Sequence, residues 1–257
     1  GEDLESDIYR GVRQIAQDDS AEIVSRYPKI QRRISGYNLD DFLGDRPVNL
    51  SEIVVGSEGT LCVVTEAKLN LVPRPTMTCL SILHFKDIFE SSEATMRVLE
   101  HNPSVVEVID KMLMDRCRGS LGFAQNLSFI EGDPGAVLLV EFYGESEAEL
   151  TSKMEALQAD MARQRMGYAC VNLLSKAEQS NVWNIRKAGL GLLMSIHGDA
   201  KPLPFVEDTA VDPSKLAPFV RRFDEIVRSH GTEAGYYGHA SVGCLHIRPL
   251  VSLKNSE

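Results

Sequence analysis

The sequence predicts an α+β chain in two parts, and three observations carry that prediction. Beyond residue 76, apolar runs of strand length alternate with longer stretches of helical spacing, without the uniform repeat of a doubly wound sheet. Before residue 75 the pattern is charged helical spacing followed by a glycine-rich segment. Pro73 and Pro75 stand between the two, so residues 1–75 and 76–257 are expected to be separate domains.

In the first part, Ile8, Val12 and Ile15, then Ile23 and Ile30, fall at helical spacing and predict two short amphipathic helices over residues 3–33, broken near Pro28. Ser35-Gly36-Tyr37-Asn38-Leu39 is expected to be a loop. Ile53-Val54-Val55 and residues 61–64 are apolar and β-prone, and predict two strands around Gly56-Ser57-Glu58-Gly59.

In the second part, residues 79–85 read as a strand and 87–100 as a helix with Ile88, Phe89, Met96 and Leu99 turned inward. A second helix is expected over 105–117, a strongly apolar strand over 136–143, a helix over 145–165 and a strand over 169–174. Residues 175–196 have helical spacing that Gly189 and Gly191 weaken. A strand over 205–211 follows, then a helix opened by Pro213, whose missing N–H costs nothing in a first turn, and closed near His230-Gly231. Residues 236–251 are β-like with a turn at Val242-Gly243, and the whole suggests a sandwich of the split βαβ kind.

Composition bounds the function. Lys and Arg number 27 against 37 Asp and Glu, a net charge of −10, with 43% hydrophobic and 25% charged residues, as in ordinary globular proteins. That acidity argues against a nucleic-acid binder, which needs a basic face, but allows a local basic pocket for a small anion. The five cysteines, at 62, 79, 117, 170 and 244, form neither a disulfide framework nor a CxxC knuckle, which suits a reducing compartment. No apolar run approaches the roughly 20 residues of a membrane span and the charged start is unlike a signal peptide. The expectation is a cytoplasmic protein, peripheral at most on the inner face of a membrane.

Three groups of residues can carry chemistry. In Gly56-Ser57-Glu58-Gly59-Thr60-Leu61, close glycines and small hydroxyls let backbone N–H groups approach a ligand, although a plain turn between strands explains them as well. His239 and His246 are seven residues apart across the Gly243 turn and either share a divalent ion or serve the fold. An odd separation puts them on opposite faces of an unbroken strand, so the turn is essential to the first reading. The third group is Arg186, Lys201 and Arg248. A buried Arg186 needs an anion, either a substrate carboxylate or the protein's own Glu207 or Asp208. Of those two acids, adjacent in a strand, only one is expected to face a given pocket.

Taken in order, these motifs resemble the FAD-linked oxidases of the vanillyl-alcohol oxidase type, in the D-lactate and D-2-hydroxyglutarate dehydrogenase branch. The similarity rests on Ser35 to Leu39, Val55 to Ala67, Trp183-Asn-Ile-Arg186, Phe205-Val-Glu-Asp-Thr-Ala-Val211 and Gly238-His239 through His246, and so covers nearly the whole chain. The resemblance implies the C-terminal part of an FAD-binding domain (1–75) followed by a ferredoxin-like α/β sandwich cap domain (76–257). It implies that Gly36, Tyr37, Asn38, Gly56, Ser57, Glu58, Gly59, Thr60, Leu61 and Val64 line FAD. Arg186 is implied to hold the substrate carboxylate, with Lys201 as a helper, and His239 and His246 to ligate Zn or Mn. Hydride then passes from a D-2-hydroxy acid to the flavin.

Cys62 stands where the family has a Gly, and Ser241-Val242-Gly243-Cys244 replaces its Gly-Asp-Gly-Asn. This form is nearest to flavoproteins fused to an iron–sulfur module, whose cluster belongs to parts outside the chain. The family's glycine-rich pyrophosphate half and a later Ser-Gly-Glu-His-Gly-like motif are not found, so the chain reads as an internal fragment, inactive alone. Its expected partners are a small carboxylate, an unidentified electron acceptor and a second copy in a homodimer. The alternative is a non-catalytic binding module with a vestigial flavin and metal site; a third reading, metal-dependent hydrolysis, needs His239, His246 and Glu207 to converge.

Overall fold

Asp3 opens the chain's first helix, α1 (Leu4–Asp18), by accepting a hydrogen bond from the Ser6 N–H at 2.9 Å. The computed structural model describes residues 1–33, 35–120 and 122–254. The last three residues of the expected cap range therefore lie outside the described residues. The chain divides into two compact units, Gly1–Val72 and Pro73–Glu257.

In the first unit, α1 and α2 (Ser20–Arg26) are two helices as expected, but the break between them is at Asp19 rather than near Pro28, and the helical stretch ends at Arg26 instead of reaching residue 33. Their inner residues Ala16 and Ile23 form a small core with Phe42, from a 3₁₀ turn at Leu39–Phe42, and with Ile53. Ile53 and Val54 are not in a strand but in a short helix, α3 (Ser51–Val54), where Asn49 accepts from the Ser51 N–H at 3.1 Å and burial of Ile53 outweighs β-propensity. Nor are residues 61–64 a strand. They have no regular structure, with Val63 89% exposed, because no neighbouring strand among the described residues takes up their backbone groups.

The second unit runs β1 (Met77–Phe85), α4 (Ile88–Leu99), β2 (Val105–Asp110), α5 (Lys111–Arg118), β3 (Ala136–Gly144), α6 (Glu147–Gln164), β4 (Ala169–Leu173), α7 (Lys176–Met194), β5 (Lys201–Pro202), β6 (Val206–Ala210), α8 (Leu216–Ser229), β7 (Ala234–His239) and β8 (Cys244–Val251). The strands form one eight-stranded antiparallel sheet in the order β4-β1-β3-β2-β7-β8-β5, with β6 also on β8. Its first four strands, with α4 and α6 as crossovers, are the split βαβ sandwich.

Alternation along the strands sorts the core into two faces. Leu83, Val106, Leu138 and Leu245 point to α4, α6 and α8, whereas Ile82, Ile109, Leu139 and Tyr237 point to α5 and α7. Gly189 is what lets α7 sit close: a Cβ there would lie 3.2 Å from Leu113 of α5. On α4 the inner face is made of small residues, Ser91, Ala94, Thr95 and Val98, and Met96 is 43% exposed rather than turned inward.

The helix expected over 105–117 is instead β2 followed by α5. Val105-Val106-Glu107-Val108-Ile109 is β-branched at four of five positions, and its flanks offer partners on both edges, β3 and β7. Asp110 makes the change of state. Its buried carboxyl group caps α5 at the Leu113 N–H, 3.0 Å away, and accepts from the Tyr236 N–H of β7 at 2.7 Å.

Candidate active site

The α7-covered face of the sheet gathers Glu107 of β2, Tyr237 and His239 of β7, and His246 and Arg248 of β8. The hairpin between β7 and β8 explains how two histidines seven residues apart reach one side. A 3₁₀ turn at Ala240–Val242 and left-handed Gly243 (φ 64°) reset the alternation, so that Tyr237 pairs with His246 and His239 with Cys244. Two glycines are required for steric reasons. A Cβ on Gly243 would lie 2.1 Å from the Val211 carbonyl oxygen, and one on Gly238 (φ 146°) would lie 2.9 Å from that of Cys244. The imidazole rings meet edge to face, with centroids 5.1 Å apart.

Glu107 joins two of the groups. Its Oε1 accepts from His239 Nδ1 at 2.6 Å and its Oε2 accepts from Arg186 Nε at 2.7 Å. Burial raises the pKa of this carboxyl, but the His239 hydrogen bond and the charge of Arg186 outweigh it and hold the pKa below its ordinary value. Glu107 is therefore ionised at neutral pH and can only accept. Arg186 lies with its guanidinium 5.0 Å from the Tyr237 ring centre, and among the described residues its two terminal nitrogens make no hydrogen bond. Its partner is thus Glu107 and not Glu207 or Asp208. Trp183, one turn earlier, anchors α7 by donating to Glu141 at 3.2 Å.

Glu207 and Asp208 do not obey strict alternation. A bulge in β6, with Asp208 in the left-handed region (φ 48°), brings both to one imidazole: His246 Nδ1 lies 2.5 Å from Glu207 Oε1 and 3.2 Å from Asp208 Oδ1. Arg248, 1% exposed, holds Glu207 at 2.6 Å and the Tyr237 hydroxyl at 2.9 Å, which makes it a brace for the bulge. Burial, with Arg186 and His239 adding to it, lowers the His246 pKa in spite of the two carboxylates.

Ligand atoms of Asp208, His239 and His246 all lie within 4.8 Å of one another. The buried His246 Nδ1 makes no hydrogen bond, since the nearby carboxylate oxygens approach off the line one would need. An imidazole nitrogen so placed among carboxylate oxygens, with a second imidazole converging, is a donor set suited to a divalent cation. Lys201 is placed elsewhere: its Nζ donates to the Ile196 carbonyl at 2.5 Å, and its strand β5 pairs with the far end of β8.

In the first unit the expected flavin residues form one tight constellation. The Tyr37 and Thr60 hydroxyls are 2.8 Å apart, Asn38 donates to the carbonyls of Glu52 (3.0 Å) and Val55 (3.2 Å), and Thr60 binds the carbonyl of buried Ser57 at 2.6 Å. Gly36, Gly56 and Gly59 all have positive φ and open space where a Cβ would stand, and Glu58 shares the left-handed region. Such a bare turn fits the close approach of a flat ring. Leu61 and Val64 are exposed.

Sequence reasoning missed Glu107 and Tyr237. The signal for Glu107 was a single carboxylate inside an apolar β-branched run, hidden once the run was read as a helix. Tyr237 carried no signal, because a tyrosine in an apolar strand is ordinary core.

The split βαβ sheet thus carries a carboxylate-braced imidazole pair beside an arginine. The chain belongs to the FAD linked oxidases, whose C-terminal domain matches residues 74–257. It is 30% identical over 97% of its length to D-2-hydroxyglutarate dehydrogenase of Pseudomonas putida and 30% identical over 96% to that of Escherichia coli, in each case covering 25% of the relative. D-lactate dehydrogenase of Archaeoglobus fulgidus is 26% identical over 79% of the chain, which covers 42% of it. The chain thus spans about a quarter of the length of these two D-2-hydroxyglutarate dehydrogenases. In fold it is similar to alkyldihydroxyacetonephosphate synthase, with a TM-score of 0.51 over 82% of the chain and 43% of the synthase, at 14% identity. Among the described residues no helix is long and apolar enough to cross a membrane.

Proposed function

We propose that this chain forms the substrate-binding part, and an edge of the flavin site, of an FAD-dependent dehydrogenase that oxidises a D-2-hydroxy acid. The observation that carries the reading is Arg186: its Nε is committed to buried Glu107, so its two terminal nitrogens are presented as a fork that matches a carboxylate. A 2-hydroxy acid has, one carbon from that carboxylate, a hydroxyl suited to a cation.

Asp208, His239 and His246 would hold that cation, Zn²⁺ or Mn²⁺, which supplies Lewis-acid stabilisation of a deprotonating hydroxyl. Gly36 to Asn38 and Gly56 to Thr60 would hold FAD, which would supply the two-electron acceptor. The chain's own residues orient the substrate. Arg186 fixes the carboxylate, Glu107 fixes Arg186, and the Tyr237 ring is a wall against which both Arg186 and Arg248 pack. With the carboxylate and the hydroxyl fixed, the need for the reacting hydrogen to face the acceptor is the third constraint, and it selects one hand at that carbon.

The reading is supported by the family membership, by the names of the relatives and by the order of the motifs. It is tested by steady-state reduction of a dye acceptor by D-lactate and D-2-hydroxyglutarate, using the FAD-loaded polypeptide that carries this chain. Turnover of a D-acid that falls at least 100-fold in Arg186→Ala supports it, and wild-type turnover in that variant sinks the carboxylate assignment.

A further inference from the structure

We infer that Glu107 is the positioning residue that couples the cation site to the carboxylate clamp: one buried carboxylate sets both the tautomer of His239 and the aim of Arg186. The inference rests on the function proposed above but concerns a residue that the motifs did not point to.

The geometry leaves Glu107 little freedom. It lies on β2 in the interior of the sheet, one position from the Val108–Gly238 pair, which makes it the cross-strand neighbour of His239. Its side chain is only 10% exposed, and both oxygens are used, one on each partner, at 2.6 and 2.7 Å. A carboxylate oxygen accepts, so the 2.6 Å contact calls for a proton on His239 Nδ1, and the tautomer that meets it has its lone pair on Nε2. That nitrogen makes no hydrogen bond among the described residues and belongs to the imidazole that converges with Asp208 and His246. Carboxylates that hold the far nitrogen of a metal-binding imidazole raise its basicity and fix its ring.

The other oxygen does the equivalent for Arg186. Binding Nε, rather than a terminal nitrogen, turns the guanidinium edge-on to Glu107 and leaves the opposite fork outward. The second acid–imidazole contact, Glu207 with His246, is built differently. Glu207 is 46% exposed and its contact lacks hydrogen-bond direction, so it cannot set a tautomer. The bracing therefore falls to Glu107.

Glu107→Gln is the informative change, because an amide has one acceptor oxygen and can serve His239 or Arg186 but not both. Glu107→Asp keeps the charge and shortens the reach. Two readouts apply to the protein without turnover: the tautomer of His239 by long-range ¹⁵N NMR of the imidazole, and Mn²⁺ binding by the metal alone. The expected wild-type result is an Nδ1–H tautomer at His239 with measurable Mn²⁺ binding. Glu107→Gln is expected to mix the tautomers and weaken Mn²⁺ by about 10- to 100-fold, with partial recovery in Glu107→Asp. An Nε2–H tautomer in the wild type overturns the inference without any variant. Unchanged Mn²⁺ affinity in both variants overturns it while leaving the proposed metal site standing, whereas a wild type that binds no Mn²⁺ overturns the metal site and the inference with it.

Discussion

Arg186 and Glu107 meet through a single bond, Nε to Oε2 at 2.7 Å, although their residues are 79 apart in the chain and come from a helix and from the strand beneath it. This bond decides what the guanidinium can do: with Nε committed, the terminal nitrogens point away together. It also means that Arg186 is structural and functional at once, which separates the effects of two substitutions.

Arg186→Lys keeps a charge near Glu107 and loses the fork. The expected outcome is a folded protein whose kcat/KM for the 2-hydroxy acid falls about 100-fold, read from steady-state kinetics. Arg186→Ala leaves a carboxylate buried without its partner, and its unfolding free energy in a urea titration should fall by about 3 kcal/mol.

Gly243 has a second, independent role in the site. With φ at 64° and the Val211 carbonyl oxygen 2.1 Å from where a Cβ would be, Gly243→Ala must drive the hairpin turn and the Val211–Pro213 segment after β6 apart. A loss of about 3 kcal/mol or more in stability is expected, with weaker Mn²⁺ binding because the end of β6, and with it Asp208, is displaced from the two imidazoles, measured by thermal unfolding and by Mn²⁺ affinity together.

Asp208 sets stability against function. It occupies the left-handed region at φ 48°, where glycine is at ease. Asp208→Gly should stay within about 1 kcal/mol of the wild type in unfolding while losing at least 10-fold in Mn²⁺ affinity. Equal affinity in the two proteins would remove Asp208 from the donor set.

Asp110 gives a pH dependence whose sign is fixed. Complete burial pushes its carboxyl from 3.8 up to about 7, against the hydrogen bonds from the Leu113 and Tyr236 amides. The folded chain then holds a proton that the unfolded chain releases near pH 4, so this contribution is full below about pH 4 and is lost as pH rises towards 7. The slope is at most about 1.4 kcal/mol per pH unit. In Asp110→Asn, urea titrations between pH 4 and 7 should show a flatter curve, at lower overall stability because the amide cannot accept from both N–H groups.

Much of this architecture was legible in the sequence because strand and helix periods differ. Residues 79–85 and 136–143 were read as strands within two residues of β1 and β3, and the prolines at 73 and 75 fell at the division between the units. The failures have a common cause, which is that isolated segments do not show their partners. Residues 105–110 looked helical until β3 and β7 were there to pair with them, and residues 61–64 looked like a strand with none to pair with. In the site, His239, His246 and Arg186 were visible as motif residues. Glu107 was not, because its importance lies in contacts across 79 and 132 residues of chain. The bulge that turns Asp208 toward His246 was invisible for a different reason: alternation is the default, and nothing local in Val206-Glu207-Asp208-Thr209 announces the exception.

In the function proposed above, Arg186 and an ion held by Asp208, His239 and His246 together grip a D-2-hydroxy acid for oxidation. Anaerobic bleaching of the flavin absorbance near 450 nm tests it most directly, in the FAD-loaded polypeptide that carries this chain, before and after removal of metal by a chelator. A D-2-hydroxy acid, and not its L-enantiomer, should bleach the flavin, with bleaching lost on chelation and recovered with Mn²⁺ or Zn²⁺. Bleaching that survives chelation undiminished, or that does not distinguish the two enantiomers, would contradict it.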